Sequence, residues 1–242
     1  MYDHFFSPPP RSRGFTLIEL LAVLAVIALV VGLILPTISS MRASANDTGC
    51  KSNLRQLAQG FTLFAIDHDN RLPPNLHENQ SPYFNQDRRY LAHSSKLGPY
   101  IGAPVPGKGL WTTNLQDMCY AEHMLCPSRA GMPGDNRDMF RLNKREVEMT
   151  NASKGKGSPW GTGSASKDFL NASNPQLVKS QKLSWIVDPA DTWLIADLDQ
   201  EFPVGDTSQK TVESPVHKDH RNVIFFDMHT GELGLEPSLY RR

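Results

Sequence analysis

The sequence lacks most of the short patterns that identify enzymes. It contains no G-x-S-x-G elbow, phosphate-binding glycine loop, H-E-x-x-H or C-x-x-C motif, which are typical of hydrolases, nucleotide-binding proteins, zinc proteases and thiol oxidoreductases. It also lacks net charge, because 25 basic side chains balance 25 acidic ones, so no overall field favours a nucleic-acid partner. We therefore expect a protein that is not an enzyme, needs no cofactor and does not bind nucleic acid.

Cysteine is scarce in the chain. Its three cysteines, Cys50, Cys119 and Cys126, are too few for a disulfide scaffold and do not have zinc-ligand spacing. In an exported protein, one pair would be oxidised and one thiol would remain. Cys119 and Cys126 are nearest in sequence, whereas Cys50 lies on an apolar helical stripe that would bring it against the rest of the protein. Both pairings remain open, and we favour Cys50 with Cys126.

One long apolar run dominates the N-terminal region. The 16 residues from Leu20 to Leu35 would span about 24 Å as a helix, and counting from Phe15 extends this to about 31 Å, enough to cross a bilayer. Arg11 and Arg13 precede the run, and basic residues favour the cytoplasmic side of a membrane. This pattern predicts a membrane helix with residues 1–14 in the cytoplasm and the remaining chain on the other side.

Two simpler interpretations of this region leave residues unexplained. A secretory signal peptide would be cut near Ala43-Ser44-Ala45, which resembles a small-x-small cleavage site, but that tripeptide lies eight residues beyond the apolar run. An uncleaved anchor explains the length of the run. It does not explain Glu19, whose carboxylate costs roughly 2.5–3.5 kcal/mol deep in a bilayer, nor the Gly14-Phe15-Thr16 junction.

The segment RGFTLIE, Arg13 to Glu19, resembles the processing site of type IV pilins and type II secretion pseudopilins. The resemblance implies that a prepilin peptidase cleaves after Gly14 and N-methylates Phe15. It also implies that Glu19 pairs with the N-terminal ammonium of a neighbouring subunit, which relieves two charges that are each costly in lipid. Pro36 stands where the family commonly has a proline that kinks the helix.

The resemblance further implies the setting in which the protein works. Its partners would be a prepilin peptidase and methyltransferase, other pilin or pseudopilin subunits, and an inner-membrane assembly platform. We expect a single-pass bacterial inner-membrane protein that assembles into a type IV pilus or a type II secretion pseudopilus, with its C-terminal head in the periplasm or on the cell surface. The alternative is a membrane-anchored surface binding or adhesion protein that uses the same pilin-type anchor, with calcium or glycan contacts in its middle region.

A second helical pattern follows the apolar run. Apolar residues recur at spacings of four, three, four and three, which predicts an amphipathic helix with one buried face: Cys50, Leu54, Leu57, Phe61 and Phe64. The helix should end near Asp69, before Pro73-Pro74. The segment from Cys50 to Asn75 also resembles a subgroup of pseudopilin-like proteins that carry a Cys-Pro-Ser segment, here starting at Cys126, and this resemblance is a second reason for the favoured pairing.

The remaining chain predicts an α+β fold. Residues 75–182 are rich in loops, whereas the short runs KLSWIVD, TWLIAD, NVIFFD and TGEL within residues 183–235 predict a small antiparallel sheet. A long spine helix, transmembrane in its first half, would pack on this sheet. The expected division is a leader at 1–14, a transmembrane and assembly helix at 15–36, an amphipathic spine at 37–72 and an extracytoplasmic head at 73–242.

Several polar residues of the head are candidate site residues. His217 and Asp227 match most of the H-x(9)-D-G signature of a prepilin-processing-associated subgroup, with Met228 in place of the glycine, and we interpret both as structural. Histidines and acids near this signature are alternative ligands for a zinc-like metal: His217, Asp219, His220, Asp227 and His229. A second set of acids predicts a weak calcium site or a solvated acidic loop: Asp197, Asp199, Glu201 and Asp206.

Overall fold

The structure is a computed structural model that divides into two compact units, Met1–Ser44 and Ala45–Arg242. It describes residues 14–74, 76, 79–80, 83–84, 93–102, 119–120, 125–130, 132–133, 139–143, 147–150, 155–160, 180–202 and 211–241. The predicted leader therefore lies outside the described residues except for Gly14.

Helix α1 spans Leu17–Asp67 and is 51 residues long. Its first part belongs to the first unit, where large apolar side chains are exposed at nearly every position, from Phe15 at 87% to Leu35 at 62%. A contiguous apolar surface of this size is unfavourable in water. Length and composition make α1 a candidate membrane span. Pro36 lies inside α1, and the helix continues through it.

The second part of α1 belongs to the second unit and buries the predicted stripe. Cys50, Leu54, Leu57, Phe61 and Phe64 are all buried, which confirms the amphipathic pattern. The helix ends at Asp67, slightly earlier than predicted. Asp69 and Asn70 follow with φ angles of 56° and 58°, a left-handed conformation that stops helical hydrogen bonding and that Asn and Asp tolerate better than most residues.

An antiparallel sheet of five strands forms the centre of the second unit, in the order β1-β4-β7-β8-β9. These strands are β1 at Asn79–Gln80, β4 at Phe140–Leu142, β7 at Trp193–Asp197, β8 at His220–Phe225 and β9 at Thr230–Gly234. Two small ribbons accompany it, formed by β2 at Tyr83–Phe84 with β3 at Cys119–Tyr120, and by β5 at Val147–Glu148 with β6 at Lys156–Gly157. The predicted α+β class is confirmed.

The sheet differs from the prediction in two places. Strands β1 and β4 come from the region that was predicted to be loop-rich, and β4 pairs with β7. The run KLSWIVD, predicted as a strand, instead forms a 3-10 turn at Leu183–Trp185, flanked by isolated bridges of Lys182 to Arg71 and of Ile186 to Met149. Its apolar residues do not join the sheet but pack against the larger of the two apolar clusters described below.

Two apolar clusters cover the sheet. The larger contains the α1 stripe from Leu54 to Phe64 together with Leu194, Ile195 and Ile224, and the smaller contains Trp193 and Ala196. Side chains normally alternate between the faces of a strand, yet Leu194 and Ile195 share one cluster. A register irregularity between Trp193 and Ile195 explains this departure, because a bulge shifts the alternation by one residue.

Helix α2, His93–Ile101, packs against the same side of the core as the α1 stripe. Its Leu97 and Ile101 belong to the larger cluster. A side chain at Gly60 of α1 would collide with Ile101, so the glycine allows the two helices to approach closely.

Candidate functional site

The start of α1 is fixed by a reciprocal pair of hydrogen bonds. Glu19 Oε2 accepts from the backbone N–H of Thr16 and from Thr16 Oγ1, both at 2.8 Å, and Thr16 Oγ1 accepts from the backbone N–H of Glu19 at 3.4 Å. This is a capping box, which satisfies donors that a helix N-terminus otherwise leaves open. The box was not predicted from the sequence, although the T-x-x-E spacing before an apolar run is its known signal.

The capping box changes the interpretation of Glu19 in a single chain. Its carboxylate has hydrogen-bond partners without any neighbouring subunit, but Thr16 brings no positive charge. The cost of placing an anion in lipid is therefore only partly relieved. Glu19 still requires a cation for full neutralisation, and Phe15, which is 87% exposed, lies two residues before the first residue of the same helix.

A disulfide joins Cys50 of α1 to Cys126, across 76 residues of sequence. It is the pairing favoured from the sequence, and both residues are buried. Cys126 immediately precedes a 3-10 turn at Pro127–Arg129. A side chain at Gly49 would come within 3.1 Å of Pro127, so this part of α1 packs tightly against the turn.

A buried histidine lies beside the disulfide and faces α1. His217 Nδ1 is 3.1 Å from Asp47 Oδ1 of α1, and its Nε2 is 3.3 Å from Asp197 Oδ2 of β7. His220 Nε2 is 3.6 Å from the same Asp47 oxygen, and the two imidazole rings stack at 5.1 Å. We call Asp47, His217 and His220 the histidine cluster.

Lys51 and Asn222 set the charge of Asp47 in the histidine cluster. Lys51 Nζ donates to Asp47 Oδ2 at 2.6 Å and also to Glu232 of β9, while Asn222 Nδ2 donates to Asp47 Oδ1 at 2.9 Å. Burial opposes ionisation of Asp47, but the hydrogen bonds from Asn222 and Lys51 outweigh it and lower its pKa. Hydrogen bonds to Asp47 and Glu232 raise the pKa of Lys51. Both groups are therefore charged at neutral pH.

The comparisons with known proteins identify the N-terminal region. Residues 9–35 match the family described as the prokaryotic N-terminal methylation motif. The chain is 38% identical over 69 residues to competence protein ComGC of Halalkalibacterium halodurans, an alignment that covers 28% of this chain and 67% of the relative. The chain belongs to the type IV pilin-like family.

Two other relatives agree with this assignment. This pilin-like protein is 30% identical over 63 residues to the ComG operon protein 3 homolog of Bacillus licheniformis, covering 26% of the chain and 65% of the relative. It is 36% identical over 59 residues to the type IV wide pilus major component PilA4 of Thermus thermophilus, covering 24% and 45%. These relatives do not favour the alternative of a surface binding or adhesion protein that uses a pilin-type anchor, and no solved structure matches the chain.

The two residues of the predicted H-x(9)-D-G signature occupy different places in the pilin-like protein. His217 is buried against α1, whereas Asp227 is exposed in the turn between β8 and β9. Asp227 Oδ1 lies 3.1 Å from the backbone nitrogen of His229 and 2.6 Å from His229 Nδ1, a local arrangement typical of turns. Membership of the H-x(9)-D-G subgroup stays a prediction.

Met228 occupies the position where the signature has glycine. Its φ angle is 71°, in the left-handed region that costs most L-residues roughly 1–2 kcal/mol. The turn therefore keeps the backbone conformation that glycine would adopt freely. The Met228 side chain packs against the larger apolar cluster, which offsets part of the cost of this conformation.

The three described acids of the predicted calcium site have different surroundings. Asp197 is buried near His217, and Asp199 is buried in a bidentate ion pair with Arg221, at 2.7 and 2.8 Å. Glu201 is exposed, and Asp206 lies outside the described residues. The Arg221 guanidinium already neutralises Asp199, which does not favour a calcium ion there, and the calcium site stays a prediction.

The predicted ligands of the zinc-like site also fall into two separate groups. Its members His217 and His220 come together, and Asp219 contacts His220 from the exposed side at 2.8 Å. Asp227 and His229 form a separate pair at 2.6 Å. Asp47, which completes the histidine cluster, was not predicted, because it lies about 170 residues earlier in the sequence and no local pattern connects it to the histidines.

Proposed function

We propose that this pilin-like protein is cleaved after Gly14, methylated on Phe15 and assembled through α1 into a type IV pilus or a type II secretion pseudopilus. The observation that carries the proposal is the carboxylate of Glu19 at the start of α1, whose large apolar side chains are exposed from Leu17 to Met41. The methylation-motif match over residues 9–35 and relatives named as competence and pilus proteins support it.

Cleavage after Gly14 would create the cation that Glu19 requires. The new N-terminus is the ammonium of Phe15, which enters the same membrane depth as Glu19. Within one chain Thr16 bonds the carboxylate but brings no positive charge. The negative charge of Glu19 therefore remains available to the ammonium of a neighbouring subunit. A pair of this kind removes two isolated charges from lipid and fixes the axial register of neighbouring helices.

The proposal extends to the partners and the location. The motif supports processing by a prepilin peptidase with methyltransferase activity. A subunit that polymerises would also contact other pilin or pseudopilin subunits and an inner-membrane assembly platform. The apolar helix is consistent with membrane anchoring. We place the leader in the cytoplasm and the head on the periplasmic or outer side, where the Cys50–Cys126 disulfide would be stable.

Three variants separate the charge of Glu19 from its role in capping. Glu19→Gln keeps a side-chain oxygen that can accept from Thr16 but removes the charge. Glu19→Ala removes both, and Thr16→Ala removes the two capping bonds of the Thr16 hydroxyl and keeps the charge. If ion pairing drives assembly, both Glu19 variants should form at least tenfold less filament, a loss of about 1.4 kcal/mol, while Thr16→Ala should assemble at nearly the wild-type level.

The measurement combines filament yield with the mass of the mature N-terminus. All three variants should be cleaved and methylated as in the wild type, so that a loss of filament reports assembly alone. Wild-type filament yield from Glu19→Gln would contradict the charge-pairing proposal, and an unmodified full-length N-terminus in the wild type would contradict the whole assignment.

A further inference from the structure

The histidine cluster brings three metal-ligating side chains to one point between α1 and the start of β8. Asp47, His217 and His220 each offer one ligand atom, and these atoms all lie within 4.8 Å of one another. His217 is buried and the other two are half-buried. The second convergent group in the described residues, Cys50 with Cys126 and His217, offers no thiolate, because both sulfurs are in the disulfide.

The spacing of the ligand atoms suits a tetrahedral ion. Asp47 Oδ1 is 3.1 Å from His217 Nδ1 and 3.6 Å from His220 Nε2. In a tetrahedral zinc site with bonds of about 2.0–2.1 Å, neighbouring ligand atoms are roughly 3.3–3.4 Å apart. The two measured separations lie on either side of this value, so small side-chain movements would complete the geometry.

Both histidines have an outer partner on the ring nitrogen that points away from Asp47. His217 Nε2 lies 3.3 Å from Asp197 Oδ2, and His220 Nδ1 lies 2.8 Å from Asp219 Oδ1. Metal-bound histidines commonly donate their second N–H to a carboxylate, which fixes the tautomer and turns the other nitrogen towards the ion. The arrangement at both rings follows this pattern.

Asp47 has the same division between its two oxygens. Lys51 Nζ donates to Oδ2, whereas Oδ1 faces the histidines and also accepts from Asn222 Nδ2. A carboxylate with one oxygen held by a lysine is suited to monodentate ligation through the other. Asn222 Nδ2 lies 2.9 Å from both Asp47 Oδ1 and His217 Nε2. It has to turn away from His217 when Nε2 carries the proton, because both nitrogens are then donors.

The cluster also has an unmet need for positive charge. With Nδ1–H donating to Asp219, His220 Nε2 presents a lone pair to Asp47 Oδ1, and Nε2 is buried without a hydrogen-bond partner among the described residues. Two acceptors 3.6 Å apart repel unless a cation lies between them. Glu232, whose Oε1 is 3.9 Å from His220 Nε2, adds a further negative charge, and Lys51 is the one ammonium described at the cluster.

We propose that Asp47, His217 and His220 bind one divalent first-row transition ion, Zn²⁺ or a similar ion, with water or Glu232 as the fourth ligand. The ion would cross-link α1 to β8 beside the Cys50–Cys126 bridge and so hold the helix on the sheet. Histidine and carboxylate ligands suit this class of ion. The site does not depend on filament assembly.

The test uses the full chain in detergent after dialysis against a chelator. Calorimetric titration with zinc chloride alone should show saturable binding of one ion per chain, and Co²⁺ should give the visible absorption of a tetrahedral site. Zinc should raise the Tm by several degrees, because an ion that binds only the folded state stabilises it. Absence of saturable zinc binding would overturn the proposal.

Matched histidine variants locate the site. His220→Ala, at a half-buried position, should weaken zinc binding at least tenfold and abolish the Co²⁺ spectrum. His229→Ala removes an exposed histidine of the same hairpin and should bind as the wild type does. Equal binding by His220→Ala and the wild type, or loss of binding only in His229→Ala, would overturn the assignment. The Co²⁺ spectrum of His217→Gln gives a second reading, because it reports ligation even if that variant is less stable.

Discussion

The two units of this pilin-like protein place their polar and apolar residues in opposite ways. In residues 14–44 the apolar side chains face outward and the one acid of the first turn, Glu19, bonds within its own helix. In residues 45–242 the apolar stripe is buried and charged groups such as Arg221 and Asp199 are buried with it. The first unit relies on an environment outside the chain, whereas the second supplies its own.

The comparison predicts that changes in the second unit alter stability and leave N-terminal processing unchanged. The largest effect should come from the Arg221–Asp199 pair, in which the guanidinium also lies 5.1 Å from the ring of Phe202 and 5.3 Å from that of Tyr240. Arg221→Met leaves a buried carboxylate without a counter-charge and should lower the free energy of unfolding by about 3–5 kcal/mol. Chemical denaturation of the full chain in detergent measures this.

A double variant and a distant variant serve as controls for the ion pair. Arg221→Met combined with Asp199→Leu removes both charges and should recover most of the loss. Leu24→Ala, at a position 58% exposed in the first unit, should change the unfolding free energy by less than about 0.5 kcal/mol. A loss below about 1 kcal/mol for Arg221→Met, or a large loss for Leu24→Ala, would break the contrast between the units.

The next largest effect should come from the disulfide. Cys50→Ser with Cys126→Ser opens a loop of 76 residues and should lower the free energy of unfolding by about 2–5 kcal/mol, since a long loop loses much entropy when it is closed. Thiol titration of the denatured, unreduced wild type should find one reactive group per chain, and Cys119→Ser should remove it. Three reactive groups in the oxidised protein would contradict the bridge.

The smallest effect sharpens the comparison at a single backbone position. Met228 holds a left-handed φ of 71°, so Met228→Gly should be more stable than Met228→Ala by about 1 kcal/mol. Both variants remove the packed side chain, and their difference therefore isolates the backbone term. Thermal unfolding measures it, and equal Tm values for the two variants would show that this turn does not strain its residue.

The elements of the second unit differed in what could be predicted from the sequence. The buried stripe from Cys50 to Phe64 was predictable because helical burial has a period that a single segment displays. The short strands β1 and β4 were not, because two or three residues carry no period and their pairing with β7 depends on distant parts of the chain. Tertiary context decides such strands more than propensity does.

The candidate sites follow the same distinction between local and distant information. Glu19 and Gly14 stand in one short motif, and even the overlooked capping bond to Thr16 has a fixed local spacing. Asp47 joins His217 only after α1 has packed on the sheet, so no single segment shows that the two residues meet. The signature partner predicted for His217, Asp227, is near in sequence but serves a different turn.

The capping box at Thr16 and Glu19 has a consequence for the proposed maturation. Both residues follow the Gly14–Phe15 bond, so cutting that bond removes none of the atoms that hold the first helical turn together. The helix can therefore begin at the same residue in the precursor and in the cleaved chain, and cleavage does not have to unfold any part of it. The peptidase would change only the end of the chain, where it would convert a neutral amide nitrogen into a charged ammonium ahead of a helix that has already formed.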